Sequence, residues 1–185
     1  VLSVLGGVGG GPAPQVAPGP AAKPPANDAQ AAFVSTVLAD TEDVWTAQFR
    51  AGNAQYNMPK LVLFRGATPT ACGTGQSAMG PFYCPGDRKV YLDLAFFDTM
   101  RAKLGSPGDF AQAYVVAHEV AHHVQDELGI LGKASQRRAQ VSQADSNAIS
   151  VRIELQADCL SGIWARRADE QFGSLQAGDL EEAVN

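Results

Sequence analysis

Three chemically active side chains stand close together at residues 118–122, in the pattern His-Glu-x-x-His formed by His118, Glu119 and His122. On a helix, residues four positions apart lie on one face, so the two imidazoles point the same way. Neutral histidine nitrogens in that arrangement suit a zinc ion, which binds them at about 2.0–2.1 Å. Glu119 lies beside this face and is not needed as a ligand. The pattern therefore predicts a zinc site in which Glu119 is the catalytic base for a metal-bound water.

The sequence around this motif predicts a mostly apolar helix that begins near residues 106–107 and ends at Gly129. The chain has three histidines, and all of them lie within residues 118–123. The alternative is a buried helix with incidental histidines, which would rarely produce this spacing beside a glutamate. His123 lies one step off the metal face, so we predict a partly exposed residue, or one that supports a ligand, and not a ligand itself.

A catalytic zinc site that keeps an open position needs a third protein ligand. The continuation x-x-G-x-x-H is absent, because Gln125 and Leu128 stand where its glycine and histidine would be. Glu154 and Asp158 are four residues apart and share one face of a second predicted helix. We predict that Glu154 binds the metal and that Asp158 accepts the outer N–H of a ligating histidine. Apolar neighbours predict that this helix is mostly buried, where unpaired carboxylates are costly; the alternative is a solvated acidic face.

Two stretches resemble the putative neutral zinc metallopeptidase family of bacteria: Ala-His-Glu-Val-Ala-His-His-Val-Gln at 117–125 and Glu-Leu-Gln-Ala-Asp-Cys-Leu-Ser-Gly-Ile-Trp-Ala at 154–165. The resemblance extends from about Leu61 to Glu182. It implies a zincin-like fold and a metalloprotease site of the Glu-zincin type, without indicating a substrate. It also implies a membrane segment N-terminal to this chain. Because members of the family continue well beyond residue 185, it further implies that the domain is C-terminally incomplete here.

The first 27 residues differ from the rest, since they hold six of the 11 prolines and six of the 19 glycines. They show no apolar periodicity, which predicts a flexible linker. They also lack the basic region of an intact signal peptide. Residues 28–185 are predicted to form one zinc metallopeptidase-like domain, large enough for its own core.

Apolar spacing predicts a helix from Phe33 to Phe49, capped by Asn27 or Asp28 and ended at Gly52. Strands are predicted at residues 60–66, 80–84 and 89–95, with a turn joining the last two. The predicted fold class is α+β and zincin-like, with a small antiparallel sheet packed on the helices that carry the two motifs. The net charge of −5 argues against nucleic acid as a partner.

Two of the three cysteines, Cys72 and Cys84, bracket a glycine-rich loop, and no pair of C-x-x-C motifs exists to hold zinc. We predict a disulfide that closes this loop, with a stabilisation of about 3 kcal/mol. It implies an oxidising, extracytoplasmic compartment; the alternative is two reduced, buried thiols. Cys159 is predicted to be a buried structural cysteine. Its alternatives are a partner outside this chain or a nucleophile, although no basic activator adjoins it.

Residues 80–84 are the predicted edge strand along which an extended peptide would pair through backbone hydrogen bonds. Tyr83 and Tyr114 are candidate donors to an oxyanion, with core packing as the alternative for each. Arg137 and Arg138 are expected on a solvated face, with a basic patch facing the substrate as the alternative.

These features predict an exported zinc-dependent endopeptidase that hydrolyses peptides or unfolded proteins through a Zn²⁺-activated water with Glu119 as general base. The rival hypothesis is a non-catalytic exported domain, stabilised by zinc, that serves as a binding module or scaffold. Glu119 favours the enzyme, because a purely structural site has no need of a carboxylate at that position. Membrane association would come through the N-terminal segment that the resemblance implies.

Overall fold

The computed structural model describes residues 28–76, 80–104 and 109–173. The predicted linker at 1–27, the predicted helix start at 106–107 and the chain beyond residue 173 lie outside this part. The described elements in chain order are α1 (Ala29–Ala51), β1 (Lys60–Phe64), β2 (Ala67–Thr70), β3 (Gly73–Gln76), β4 (Phe82–Cys84), β5 (Lys89–Asp93), α2 (Leu94–Leu104), α3 (Asp109–Glu127), α4 (Ile130–Arg138) and α5 (Gln143–Phe172). No helix in these ranges is both long and apolar enough to span a membrane.

Helix α1 forms where its apolar spacing and its cap predict it. The Asp28 carboxylate accepts hydrogen bonds from the backbone N–H groups of Gln30 and Ala31 at 3.0 and 3.1 Å, and Gly52 follows the last turn. Such a cap satisfies backbone donors that have no partner within the helix. The buried face packs against α3 and α5 through residues spaced by three and four: Val34, Val37, Thr41, Val44 and Trp45.

The three-stranded sheet has the order β1-β5-β4 and is mixed. Strand β4 pairs with β5 antiparallel through the predicted turn, but β1 pairs with β5 in parallel. The prediction of an antiparallel sheet is therefore wrong for β1. Between β1 and β4 the chain forms the additional hairpin β2-β3. It then returns to the three-stranded sheet as the edge strand β4, turns, and continues as the central strand β5, which runs in the same direction as β1. The last four residues of β5 are all buried, as expected for a strand that is covered on both faces of the sheet.

The sequence analysis missed four elements: β2, β3, α2 and α4. The two strands form a separate two-stranded sheet of four residues each, with Pro69, Gly73 and Gly75 among them. These residue types disfavour strands, so pattern alone gave no signal. A Cβ atom at Gly75 would come within 2.6 Å of the Phe82 ring, so glycine permits this hairpin to lie against β4.

The predicted disulfide is present and joins Cys72 to Cys84, whose Cα atoms are 5.8 Å apart. Cys84 is fully buried at the end of β4, and Phe82 stacks on Tyr91 of the neighbouring strand. The disulfide therefore ties the β2-β3 hairpin to the edge strand of the three-stranded sheet.

Helix α5 contradicts the prediction that it is mostly buried. One face packs on α1 and α3 through Ala157, Ser161, Trp164, Ala165 and Ala168. On other faces the apolar side chains of Val151, Leu155 and Ile163 are 57, 61 and 40% exposed. Cys159 is also exposed, so its prediction as a buried cysteine is wrong. The physical reason is that α1, α3 and α4, the described elements that pack on this helix, leave those side chains uncovered.

Candidate metal centre

The structure brings three potential ligand atoms together where α3 and α5 pack. The Glu154 Oε2 atom lies 3.2 Å from His118 Nε2 and 3.4 Å from His122 Nε2. The two histidines are partly buried on α3, one turn apart, and their rings meet edge to face at 4.9 Å. Glu154 comes from α5, 36 positions after His118, and is exposed. These are the three residues that the sequence predicted as ligands.

The two separations from Glu154 Oε2 fit a zinc ion, and all three ligand atoms lie within 4.8 Å of one another. A tetrahedral ion with ligands at about 2.0–2.1 Å holds neighbouring ligand atoms about 3.3 Å apart. The chemistry of the donors agrees, because each histidine uses its Nδ1–H elsewhere and so turns a lone pair on Nε2 toward the carboxylate of Glu154. Three electron-rich atoms at such short range need a proton or a cation between them. The residues present therefore suit a bound zinc ion.

Asp158, which was predicted to orient a ligating histidine, lies beside His118. Its Oδ1 lies 3.0 Å from His118 Nδ1, and because a carboxylate only accepts, the Nδ1–H of His118 donates to it. This fixes the tautomer that presents Nε2 to the cluster. Asp158 stands one turn after Glu154 on α5, so a single helix supplies both the third ligand and the orienting carboxylate.

Gln125 does the same for the second ligand, and the sequence analysis missed it. Its side-chain NH₂ donates to the Ile153 carbonyl at 2.8 Å and to Gln156 Oε1 at 3.0 Å, which sets the direction of the amide. Its Oε1 then accepts from His122 Nδ1 at 2.9 Å. Gln125 is fully buried. The available signal was a polar residue three positions after His122 in an otherwise apolar helix.

Glu119 lies beside the ligands and is only 9% exposed. Burial raises the pKa of this carboxyl to about 7, and the nearby Glu154 charge acts in the same direction. His122 and a hydrogen bond from the backbone N–H of Tyr83 oppose the rise. Glu119 therefore contacts the edge strand β4 on one side and the ligand cluster on the other.

The structure does not bring the Tyr83 phenol to the ligands. Its hydroxyl lies 2.9 Å from Asp126 Oδ2 and 3.1 Å from His123 Nδ1. His123 is buried rather than partly exposed, and its Nε2–H donates to the Asn57 carbonyl. These contacts place His123 in a polar network that joins α3 to β4, away from the metal face. Burial lowers the pKa of His123 and raises that of the Tyr83 phenol.

Tyr114 does reach the site. Its hydroxyl lies 3.3 Å from Asp158 Oδ1, and its ring stands one turn before His118 on α3. Burial, followed by the charge of Asp158, raises the pKa of Tyr114 to about 12. The phenol is therefore protonated at neutral pH and is able to donate a hydrogen bond.

Comparison with known proteins identifies the chain's relatives. The profile of the family described as "putative neutral zinc metallopeptidase" matches residues 3–185. The chain belongs to this family. The zinc metallopeptidase family membership predicted from the two helix motifs is thus confirmed.

Two relatives in the zinc metallopeptidase family give the scale of the match. The chain is 55% identical over 161 residues to the uncharacterized protein YpfJ of Escherichia coli strain K12. The aligned region covers 87% of this chain and 56% of that protein. The chain is 48% identical over 111 residues to an uncharacterized protein of Mycobacterium tuberculosis strain H37Rv. Here the aligned region covers 60% of this chain and 36% of that protein. The chain thus spans about half, or less, of the length of these relatives. No solved structure matches it.

Changing the residues that orient the histidines should weaken zinc binding without removing a ligand. We expect Asp158→Asn and Gln125→Leu each to lower zinc affinity by about 10–100-fold, the usual effect of losing such a support. Competition with a chromophoric chelator measures the affinity. The matched control is Gln112→Leu, which removes another buried glutamine of α3 that bonds Gln30 on α1, away from the ligands. Equal losses in all three variants would contradict specific roles for Asp158 and Gln125.

The buried Glu119 carboxyl should make the metal-free protein less stable as the pH rises. Below about pH 4.5 the group is protonated in both the folded and the unfolded chain. Between about 4.5 and 7 the unfolded chain ionises first, so the free energy of unfolding falls, and above about 7 the loss is complete at about 3 kcal/mol. Glu119→Gln should therefore stabilise the metal-free protein at pH 8 but hardly at pH 4.5. Urea unfolding at both pH values measures this; an equal effect at both would contradict it.

Proposed function

We propose that this domain is a zinc-dependent endopeptidase. The observation that carries the proposal is the convergence of His118 Nε2, His122 Nε2 and Glu154 Oε2 beside the buried carboxylate of Glu119. These three residues would hold a zinc ion, which would supply a Lewis acid able to lower the pKa of a bound water to about 7. A purely structural zinc site is closed by four protein ligands, whereas three leave a position open for water and substrate.

Glu119 is the proposed general base. It accepts a proton from the attacking water and later passes that proton to the leaving amine nitrogen. Burial raises the pKa of this carboxyl to about 7 in the metal-free protein, and a bound cation would lower it again toward the ionised form that accepts a proton. Asp158 and Gln125 act through the histidines, whose Nε2 atoms they hold toward the reaction centre. Tyr114 is the proposed hydrogen-bond donor to the developing oxyanion. The Tyr83 phenol is not proposed as a donor, because its hydroxyl lies against Asp126 and His123.

A peptide or unfolded protein is the proposed substrate, and β4 is the proposed strand that receives it. Strand β4 lies at one edge of the three-stranded sheet, and its Tyr83 N–H donates a hydrogen bond to Glu119. An extended peptide laid along this edge would gain backbone hydrogen bonds that do not depend on its sequence. The main chain of such a peptide would pass the carboxylate of Glu119.

We further propose a zincin-like arrangement of the fold and an extracytoplasmic location, membrane-anchored or secreted. The mixed sheet beside α3, the helix that carries both histidines, supports the first. The Cys72–Cys84 disulfide supports the second, because disulfides persist in oxidising compartments.

The test of the proposal is zinc-dependent hydrolysis by the full-length protein. We expect the zinc-loaded protein to cleave a reduced and alkylated protein substrate, with new peptides seen by mass spectrometry. A chelator should stop the cleavage, and added zinc should restore it. One zinc per chain without cleavage of any unfolded substrate would instead favour the rival function, a zinc-stabilised scaffold.

A further inference from the structure

A cavity of about 290 Å³ opens directly beside the proposed reaction centre. Three residues of α3 that belong to the proposed site, Tyr114, His118 and Glu119, border it. The remaining wall comes from the segment before β4, from helix α2 and from one further residue of α3. The cavity therefore adjoins the place where the scissile bond would lie, and of the three proposed ligands only His118 lines it.

The outer wall of this cavity is apolar. Pro81 lines it from the segment before β4, Phe96 from α2 and Val115 from α3. Phe96 and Val115 are partly buried and pack on the main core, and the Phe96 ring meets Phe97 edge to face at 5.7 Å. These contacts support the two side chains from behind, so the wall is a fixed part of the fold.

The dimensions suit one large side chain. An enclosed apolar cavity of about 150 Å³ already accommodates benzene. The cavity here is about twice that size and is open on one side. Among its described lining residues, no lysine or arginine is present, and Glu119 is the only carboxylate. An anionic side chain entering it would lose water without gaining a cationic partner, which is costly. The single carboxylate that a cationic side chain could meet, Glu119, is the proposed base and already accepts a hydrogen bond from the Tyr83 N–H.

From this geometry we infer that the cavity is a specificity subsite that accepts a large apolar side chain, aromatic or aliphatic, next to the scissile bond. The inference rests on the proposed hydrolase function and adds a substrate class to it. Phe96 and Val115 are the residues that set the preference, because they are the apolar side chains that α2 and α3 supply to its wall. Gly80 borders the same cavity, and a Cβ atom there would touch the Phe96 ring at 3.5 Å.

The test uses hydroxamates that share one metal-binding group and differ in the attached side chain: methyl, benzyl, aminobutyl and carboxyethyl. Titration calorimetry on the zinc-loaded full-length protein measures their affinities. We expect the benzyl compound to bind at least about tenfold more tightly than the methyl and the charged compounds, a ratio within the range for apolar pockets. Equal affinities, a preference for a charged side chain, or no binding of any hydroxamate would overturn the inference.

Two variants connect the preference to this cavity. Val115→Phe fills it and should weaken benzyl binding at least about tenfold while leaving the methyl compound unchanged. Phe96→Ala enlarges it and should shift the preference toward a naphthyl compound, which keeps the test decisive if Val115→Phe folds poorly. The matched control is Val62→Phe, the same change at a partly buried valine of β1 outside the cavity. Equal weakening of every hydroxamate by Val115→Phe, with no shift in Phe96→Ala, would also overturn the inference.

The subsite and the hydrolase can fail separately. Cleavage of an unfolded protein with no preference for apolar residues beside the cut bond would support the proposed hydrolase function and contradict the proposed subsite. If the hydroxamates bound with the expected order of affinities but no substrate were cleaved, the result would support the subsite and contradict the hydrolase function.

Discussion

Replacing Glu119 by glutamine should lower the rate of peptide hydrolysis by about 10²–10⁴-fold, the usual contribution of general-base catalysis. Zinc content should not change, because Glu119 is not among the three converging ligands. The variant keeps the size and shape of the side chain, and the amide can still accept the hydrogen bond from the Tyr83 N–H. Peptide release from an unfolded protein, together with the zinc content of the same sample, measures both quantities.

Glu127→Gln is the matched control for this experiment. Glu127 lies on the same helix two turns later and bonds Arg88 and Asn57. Its side chain is only 6% exposed, so the change tests whether loss of a nearly buried charge on α3 is by itself enough to reduce activity. It should leave hydrolysis nearly unchanged, because neither of its partners is a proposed ligand or the proposed base. If Glu119→Gln retained full activity, the proposed mechanism would be excluded; if both variants lost activity equally, the effect would be one of folding.

His122→Ala should abolish tight zinc binding, because two remaining ligands do not make a stable zinc site. The adjacent His123→Ala provides a demanding control. His123 is buried against Tyr83 and Asn57, so its loss should lower the free energy of unfolding while one zinc per chain is kept. Metal analysis after dialysis against a weak chelator measures the difference. Unchanged zinc content in His122→Ala would exclude the ligand set, whatever the stability of either variant.

How much of the site could be predicted depended on whether its parts lie close in sequence. The residues at 118–122 and at 154–158 each occupy one turn of helix, so helical geometry alone fixes the relative directions of their side chains. That the two turns would meet was inferred from the need for a third ligand and from the family resemblance. Their meeting depends on the packing of α3 on α5, for which a single sequence carries no direct signal.

The errors have a common physical origin in long-range arrangement. The direction of β1 against β5 depends on the path of the chain between them and not on the composition of either strand. The buried face of α5 was predicted from its many apolar residues, yet composition does not say how many sides of a helix find neighbours. Gln125 was missed because a buried amide becomes informative only when Ile153 and Gln156 are known to lie beside it.

The division of the ligands between α3 and α5 also has a consequence for chain entropy. His118 and Glu154 are 36 positions apart, and the segment between them contains α4 and the exposed first turns of α5. A bound ion would close this segment into a loop, and clips that close long loops restrict the unfolded chain most. The first effect of losing the ion would therefore be local opening of α4 and of the start of α5. Amide hydrogens there would exchange faster, while those of α1 and the sheet would hardly change.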